Sequence, residues 1–321
     1  MKPTTRPFLH QEASASSLGL TRVLVFGIWL YQLAVDPVER LSELPASAFD
    51  PPGVLRLLPD QAQALLLERP TLLAFKAGLL LGLVLVILGV TRSKLLLGAT
   101  VGGLVVYQAL VRGFSGHVNH AELALLYISL LLVAFPVFDG LTVRTLRGGP
   151  RPAPAGCGPS DRTPYVAAML TACVILSLTY FFVGTVRVWK GLDLFGSPAL
   201  RGYVAEHAFQ NGNFDGSSLT PLGVPAAVFG LPLWLFQASF VLATVLELSV
   251  PLALFSRRLR PVIVVGLLCF HVTIWVFMDV PFPENMWLLV LFSGRWFHRL
   301  AARLDHTTTD LGAATPLPDR R

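Results

Sequence analysis

Four groups of polar side chains lie within or beside long apolar runs of this sequence. Histidine exchanges protons near neutral pH, and arginine holds an anion through a planar, permanently charged fork. Ionisable residues are costly inside a membrane and commonly mark a functional site or a buried pair there. The four groups are the segment 116–122 with His117, Asn119 and His120; Arg187 with Lys190; Glu247; and His271.

The histidines of the first group have a spacing that places them on one helix face. His117 and His120 are three residues apart, but a zinc site needs a third ligand. The sequence offers no HExxH motif and no carboxylate at a matching spacing, so we expect no metal here. Two interpretations stay open, namely a polar loop in which Asn119 caps the next helix and a functional His120.

The cations of the second group also share a helix face, one turn apart. Lys190 follows Trp189, which favours a side chain that extends to the lipid headgroups. Arg187 lies a turn deeper, near the outer end of its apolar run. Two interpretations stay open for Arg187: its side chain contacts lipid headgroups, or it belongs to a functional site.

Glu247 and His271 are single polar residues inside apolar runs. We interpret Glu247 as mainly structural, hydrogen-bonded to a neighbouring helix and far from the outer groups. A lone histidine in an apolar helix is typical of a satisfied core residue. His271 is of interest because other polar groups are expected at a similar depth.

The composition determines which kind of structure must position these residues. The 321 residues are 54% hydrophobic and 14% charged, and their mean hydropathy is +0.64. Such a chain has too few charges to cover a water-facing surface, which excludes nucleic-acid binding, a secreted disulfide scaffold and intrinsic disorder. The three cysteines have no paired spacing. We therefore expect an all-α, polytopic helical membrane protein.

Eight apolar runs predict about eight transmembrane helices. The eighth is short and contains Gly294 and Arg295, so it is either a tilted span or an interfacial helix. The runs are Leu18–Val35, Leu72–Val90, Leu95–Val111, Glu122–Val143, Tyr165–Val188, Leu233–Phe255, Val262–Met278 and Met286–Phe297.

The distribution of charge predicts the orientation of these spans. With eight spans, one set of loops and both termini carry most of the 25 Lys and Arg residues, and the opposite set carries most of the acids, including Glu284. Cytoplasmic loops of membrane proteins are enriched in basic residues. We expect a multi-pass protein of the cell membrane with both termini in the cytoplasm.

The loops predict the domain organisation. Residues 1–17 form a cytoplasmic tail, residues 18–300 a single transmembrane domain, and residues 301–321 a disordered cytoplasmic tail. The Pro- and Gly-rich linker 144–164 separates two halves of four helices. The long exoplasmic segments Glu39–Pro70 and Trp189–Leu231 are expected to form a lid, and the first contains enough leucine for an amphipathic interfacial helix.

Taken in chain order, several short segments resemble one family of membrane proteins. Asn119-His120 precedes an apolar run, and residues 180–187 read Tyr-Phe-Phe-Val-Gly-Thr-Val-Arg. Glu247-Leu248-Ser249 precedes a basic cluster, and Phe270-His271 precedes Phe282-Pro283. From about residue 18 to residue 295 the chain resembles the HTTM (horizontally transferred transmembrane) domain, the membrane part of the vitamin K-dependent gamma-glutamyl carboxylase.

The resemblance implies roles for individual residues. His120 matches the functional histidine of the family's Asn-Asn-His segment, and Arg187 occupies the position of the lysine proposed as the base. His120, Arg187, Lys190 and His271 are the candidate catalytic residues, and Tyr180 and Asn119 the candidate cofactor-binding residues. Arginine cannot act as a base near neutral pH, and we expect no counterpart of the carboxylase's lumenal domain. We therefore expect this chain to use the pocket that the resemblance implies for a purpose related to that of the family, and not strictly for glutamate carboxylation.

Two classes of function follow. The first is a carboxylase-like enzyme or a quinol-dependent lyase or oxidoreductase, whose outward-facing pocket takes reduced vitamin K, another quinol or a similar lipophilic cosubstrate. The second is a non-catalytic membrane module that binds a lipid or an exported peptide or protein. A transporter is disfavoured because no pair of broken helices is evident. A DoxX-like quinone-associated protein is the nearest alternative family, although its chains have four spans.

Overall fold

The computed structural model describes residues 10, 12–90, 93–115, 120–146, 162–195, 200, 202, 204, 232–278 and 282–313. All regular elements in these ranges are helices. The chain forms two compact units. The first unit comprises residues 10–172 together with those from 294 onward, and the second unit comprises residues 173–293.

The helices of the first unit include the longest apolar segments of the N-terminal half. They are α1 (Ala15–Val35), α2 (Asp60–Leu66), α3 (Arg69–Leu88), α4 (Lys94–Ser115), α5 (His120–Ala134) and α6 (Val143–Leu146). Short 3₁₀ helices at Val38–Glu43, Ala46–Ala48 and Gly53–Leu57 connect α1 to α2.

The remaining helices follow the predicted linker. They are α7 (Thr163–Phe195), which enters the second unit at Cys173, then α8 (Leu233–Ser249), α9 (Leu252–Phe255), α10 (Leu259–Met278) and α11 (Pro283–Leu288). A 3₁₀ helix at Leu289–Ser293 and the final helix α12 (Arg295–Ala313) complete the described chain.

Within the described residues, five helices are long and apolar enough to cross a membrane, judged by length and composition: α1, α3, α4, α7 and α10. The apolar helices Leu123–Ala134 and Leu233–Ser249 are shorter. These helices indicate a multi-pass membrane protein, while the predicted count of eight is not confirmed. The eighth run does not form one continuous helix, because it is divided among α11, a 3₁₀ helix and α12.

Helix boundaries differ from the predicted ones where the local sequence interrupts a helix. The fourth run was predicted to reach Val143, but α5 ends at Ala134, two residues before Pro136. The sixth run breaks at Pro251, between α8 and α9. A proline lacks the backbone N–H that an interior helical position donates, which explains both breaks.

Two predicted loop structures are also revised. The interfacial helix expected near Leu55–Leu67 is a 3₁₀ turn followed by the seven-residue α2, since Pro59 separates them. The tail predicted to be disordered from residue 301 is helical to Ala313. Residues 147–161 of the linker and most of the second lid segment lie outside the described residues.

Arg22 of α1 is fully buried in the first unit. Its guanidinium donates to the carbonyls of Val137 at 2.7 Å, Leu141 at 2.6 Å and Ile87 at 3.3 Å. Ile87 is in the last turn of α3, where carbonyls have no intrahelical partner. Arg22 therefore ties α1 to the end of α3 and to the turn after α5.

The N-terminal end of α1 holds a buried polar cluster that also fixes α12. Ser14 and Ser17 form a capping box at the start of α1. His298 of α12 lies with Nδ1 2.8 Å from Ser17 Oγ and Nε2 3.0 Å from His10 Nδ1. Burial lowers the pKa of His298 from its usual 6.5 to about 4, an effect that the carboxylate of Glu12 partly opposes. The neutral imidazole is thus the form that attaches α12 to α1.

The other end of α1 is held by side chains of α3 and α4. Asp36 caps α1, and its backbone carbonyl accepts a hydrogen bond from Lys76 Nζ at 2.6 Å. Tyr107 donates to the Asp36 carboxylate at 2.5 Å. These contacts satisfy the C-terminal carbonyl and the charge of Asp36.

Candidate functional site

One face of α7 carries the polar side chains of the candidate site. Ser177, Tyr180, Gly184, Arg187 and Gly191 are spaced by three or four residues, so they form a single stripe along the helix. Ser177 and Tyr180 are buried. The stripe faces inward within the second unit.

The two glycines of this stripe allow α8 to approach α7 closely. A Cβ at Gly184 would lie 3.0 Å from Cγ of Leu248, and a Cβ at Gly191 would lie 2.5 Å from Cζ of Phe240. Because the higher-numbered glycine meets the lower-numbered residue of α8, the two helices are antiparallel. Arg187, between the two glycines, therefore lies beside the C-terminal half of α8.

Arg187 forms an ion pair with Glu247 of α8. Its Nη2 donates to Oε1 of Glu247 at 2.9 Å, and the Glu247 side chain is only 3% exposed. The Arg187 guanidinium also lies 5.7 Å from the ring centre of Phe240 and 5.3 Å from that of Phe270. These distances are within the range of cation–π attraction. The expectation that Glu247 lies far from Arg187 is wrong.

Tyr180 and His271 form a buried hydrogen-bonded pair. The Tyr180 hydroxyl lies 2.8 Å from Nε2 of His271 on α10, and the tautomer of the imidazole decides which atom donates. The rings of Phe270 and Phe282 lie 5.7 and 5.6 Å from the imidazole. The pair is thus enclosed by aromatic side chains.

The ion pair and the hydrogen-bonded pair belong to one cluster. Arg187 is close enough to His271 to interact with it electrostatically, and Glu247 interacts with Tyr180 in the same way. Phe270 connects the two pairs, since it contacts both Arg187 and its neighbour His271. We call these residues, Tyr180, Arg187, Phe240, Glu247, Phe270, His271 and Phe282, the α7–α8–α10 cluster.

Glu284 of α11 adds a further carboxyl group beside the cluster. It is buried and interacts electrostatically with Tyr180. The charge pattern predicts an exoplasmic position for Glu284, and that stays a prediction. The distribution of charge over the predicted loops does not show that Glu284 is buried in a short helix.

Several buried polar atoms of the second unit keep unused hydrogen-bonding capacity. Within the described residues, Glu247 Oε2, His271 Nδ1, Ser177 Oγ and Asn285 Oδ1 have no hydrogen-bond partner. Buried polar groups are nearly always hydrogen-bonded, so each such atom calls for an explanation. Glu247 Oε2 is an acceptor, and His271 Nδ1 donates or accepts according to its tautomer.

The structure thus brings together three of the six residues proposed from the sequence: Tyr180, Arg187 and His271. α5 is described from His120 onward, but the side chain of His120 and all of Asn119 lie outside the described residues. Lys190 lies on α7, and its side chain is likewise not described. The functional roles of these residues stay predictions.

Three aromatic residues of the cluster were missed by the sequence reasoning: Phe240, Phe270 in its contact with Arg187, and Phe282 in its contact with His271. In a chain with 21 phenylalanines, residue type alone does not single them out. The signal that was available is the stripe of α7, in which Gly184 and Gly191 alternate with Tyr180 and Arg187. Small residues at this spacing indicate close helix packing in membranes.

The described residues include no group of three or more His, Cys, Asp or Glu side chains that could hold a metal ion. Comparison with known proteins found no matching family model, no similar curated protein and no similar solved structure.

Proposed function

We propose that the α7–α8–α10 cluster binds a neutral, lipophilic cosubstrate of the quinol type and exchanges a proton with it. The observation that carries the proposal is the juxtaposition of the Tyr180–His271 pair with the Arg187–Glu247 pair among three phenylalanine rings. The resemblance of the sequence to the HTTM domain points to the same class of cosubstrate.

The ion pair supports a neutral ligand rather than an anion. Glu247 already compensates the charge of Arg187, so a carboxylate ligand would have to compete with a buried side-chain carboxylate. Glu247 Oε2 has spare acceptor capacity, which a ligand hydroxyl would satisfy. Phenolic hydroxyls on an apolar ring meet both conditions.

The hydrogen-bonded pair supports proton exchange. When Tyr180 donates to Nε2, the neutral imidazole carries its proton on Nδ1 and presents it to a ligand oxygen. When the hydrogen bond is reversed, Nε2 carries the proton and donates it to the Tyr180 hydroxyl, and Nδ1 becomes an acceptor. Arg187 would stabilise negative charge that develops on the ligand, because fixed cations act strongly in a low-dielectric site. A bound quinol supplies reducing equivalents, and the protein residues bind it and move its proton.

The ligand that copurifies with the protein tests this proposal. We expect mass spectrometry of the detergent-purified chain to find an isoprenoid quinone or quinol, at a level that Tyr180→Phe and Glu247→Gln reduce about tenfold, as expected for one lost hydrogen bond to a charged or buried group. Tyr127→Phe is the matched control, since Tyr127 is 49% exposed in the first unit. Equal quinone content in all three variants would overturn the proposal.

A non-catalytic module that binds a lipid or an exported peptide is the second candidate. The observation that favours it is that Arg187 already pairs with Glu247 and lies near the rings of Phe240 and Phe270. The same arrangement is expected of an ion pair that only stabilises the packing of helices. Recovery of phospholipid alone, unchanged by Tyr180→Phe, would support this candidate over the first.

We further propose the orientation of the chain in the cell membrane. The five candidate spans, the two shorter apolar helices and the segment 283–293 would together cross the membrane eight times, with both termini in the cytoplasm. The support is the concentration of basic residues in alternate loops and in both terminal segments.

A further inference from the structure

The final helix α12 has two chemically different faces. Phe297, His298 and Ala301 are buried against the first unit. Arg295, Trp296, Arg299 and Arg303 are exposed. At about 100° per residue these four exposed side chains fall within one arc of roughly 100°. This arc is opposite the buried face, and we call it the arginine face.

The charged side chains of this face are all positive. Residues 295–304 contain three arginines and no aspartate or glutamate. Arg295 pairs with Glu12 at 3.2 Å, but both side chains are more than half exposed, and an exposed pair of this kind is weak and easily exchanged. Because exposed ion pairs exchange readily with other anions, the guanidinium groups of this face are accessible to an anionic surface.

α12 is attached at the N-terminal end of a candidate membrane span. His298 contacts His10 and Ser17, and Arg295 contacts Glu12, all at the N-terminal end of the candidate span α1. α12 also contacts α6. Trp296, 58% exposed on the arginine face, is of the residue type enriched at the level of the headgroups.

We propose that the arginine face of α12 binds the headgroups of anionic phospholipids and holds the helix along the membrane surface. The inference does not depend on the function proposed for the α7–α8–α10 cluster, which belongs to the second unit. Charge complementarity identifies the partner, since clusters of basic residues beside a span attract the anionic cytoplasmic leaflet. Trp296 adds an amphipathic ring at the same depth.

Titration of the delipidated, detergent-solubilised full chain with phosphatidylglycerol or phosphatidylcholine tests the proposal by native mass spectrometry. We expect preferential binding of phosphatidylglycerol that weakens as salt is raised. The triple variant Arg295→Gln/Arg299→Gln/Arg303→Gln should lose this preference, at about fivefold in affinity per arginine. The triple variant with lysine at the same positions should retain most of it.

Arg40→Gln/Arg56→Gln/Arg69→Gln is the matched control. These three arginines are also exposed and also in the first unit, but they follow the C-terminal end of α1. This control should keep the preference for phosphatidylglycerol. Equal loss in both glutamine triples, or no loss in the α12 triple, would overturn the proposal. A change of oligomeric state in the α12 triple with unchanged lipid binding would also overturn it, since the face would then contact a second copy.

Discussion

The charges of Arg187 and Glu247 compensate each other in an apolar surrounding, so loss of one charge costs more than loss of both. Glu247→Gln leaves a half-buried guanidinium without its counter-charge. We expect a decrease of about 2–3 kcal/mol in the free energy of unfolding, less than the value for a fully buried pair because Arg187 is 23% exposed. The double variant Arg187→Met/Glu247→Leu should be close to wild type in stability.

Unfolding in detergent by titration with a denaturing surfactant measures both variants. If Glu247→Gln unfolded at the wild-type midpoint, the ion pair would contribute nothing to the fold. The double variant should still lose the copurifying ligand, which separates the stabilising role of the pair from its role in binding.

The sequence identified the members of both pairs but not the pairing. Arg187, Glu247 and His271 stand out because charged and imidazole groups are rare in apolar helices. The pairing does not stand out, since Arg187 and Glu247 are 60 residues apart and Tyr180 and His271 are 91 residues apart. Pairing across such distances depends on which helices pack together, and a single sequence carries no direct signal of that.

Close packing of α7 against α8 depends on Gly184. A Cβ there would lie 3.0–3.1 Å from atoms of Glu247 and Leu248, so Gly184→Ala must push the helices apart by a few tenths of an ångström. We expect a loss of about 1–3 kcal/mol in stability, as for other overpacked sites. Binding of the copurifying ligand should also weaken, because the shift separates Arg187 from Glu247.

Gly78→Ala is the matched control for this change. Gly78 lies in α3, and an added Cβ would meet nothing within 4 Å. Alanine has the higher helix propensity, so this variant should be as stable as wild type or slightly more stable. Thermal unfolding of the two variants side by side measures the difference, and equal midpoints would contradict the packing argument.

Attachment of α12 to α1 is expected to depend on pH through His298. Its pKa in the folded protein is about 4, below the usual 6.5, so the unfolded chain takes up a proton first as the pH falls. Stability is therefore complete above about pH 6.5 and decreases as the pH falls towards 4. The loss is about 3 kcal/mol at most.

Comparison of wild type with His298→Gln isolates this contribution. Thermal unfolding at pH 7 and pH 5 should show a larger decrease in midpoint for wild type than for the variant. The residues that face His298 are His10, Ser17 and Glu12. His10→Gln therefore serves as a second comparison, and parallel pH curves for wild type and His298→Gln would contradict the assignment.

At the scale of the whole chain, the distribution of basic residues predicts that residues 160 and 217 face opposite sides of the membrane. In a chain whose three native cysteines are replaced, we expect an impermeant thiol reagent applied outside to label Ser217→Cys and not Ser160→Cys. Labelling after permeabilisation is the control for reactivity. The reverse pattern would show that the orientation is inverted.

The helical class was predictable because hydropathy and charge content decide it, and the apolar runs locate most helices. The helix boundaries were not predictable, because length and hydropathy do not show where a helix ends. Pro136 and Pro251 shorten α5 and the sixth run, and the run 286–297 is divided among three elements. In each case the local backbone decides where the helix ends, which the hydropathy averaged over a run of residues does not show.

The burial of Arg22 has a consequence for biogenesis. The carbonyls of Val137 and Leu141 that it binds are synthesised 115 and 119 residues later. Until then the guanidinium lacks two of its three carbonyl partners, and its long side chain favours water over an apolar surrounding. Complete packing of the first helix therefore requires the segment that follows the fifth.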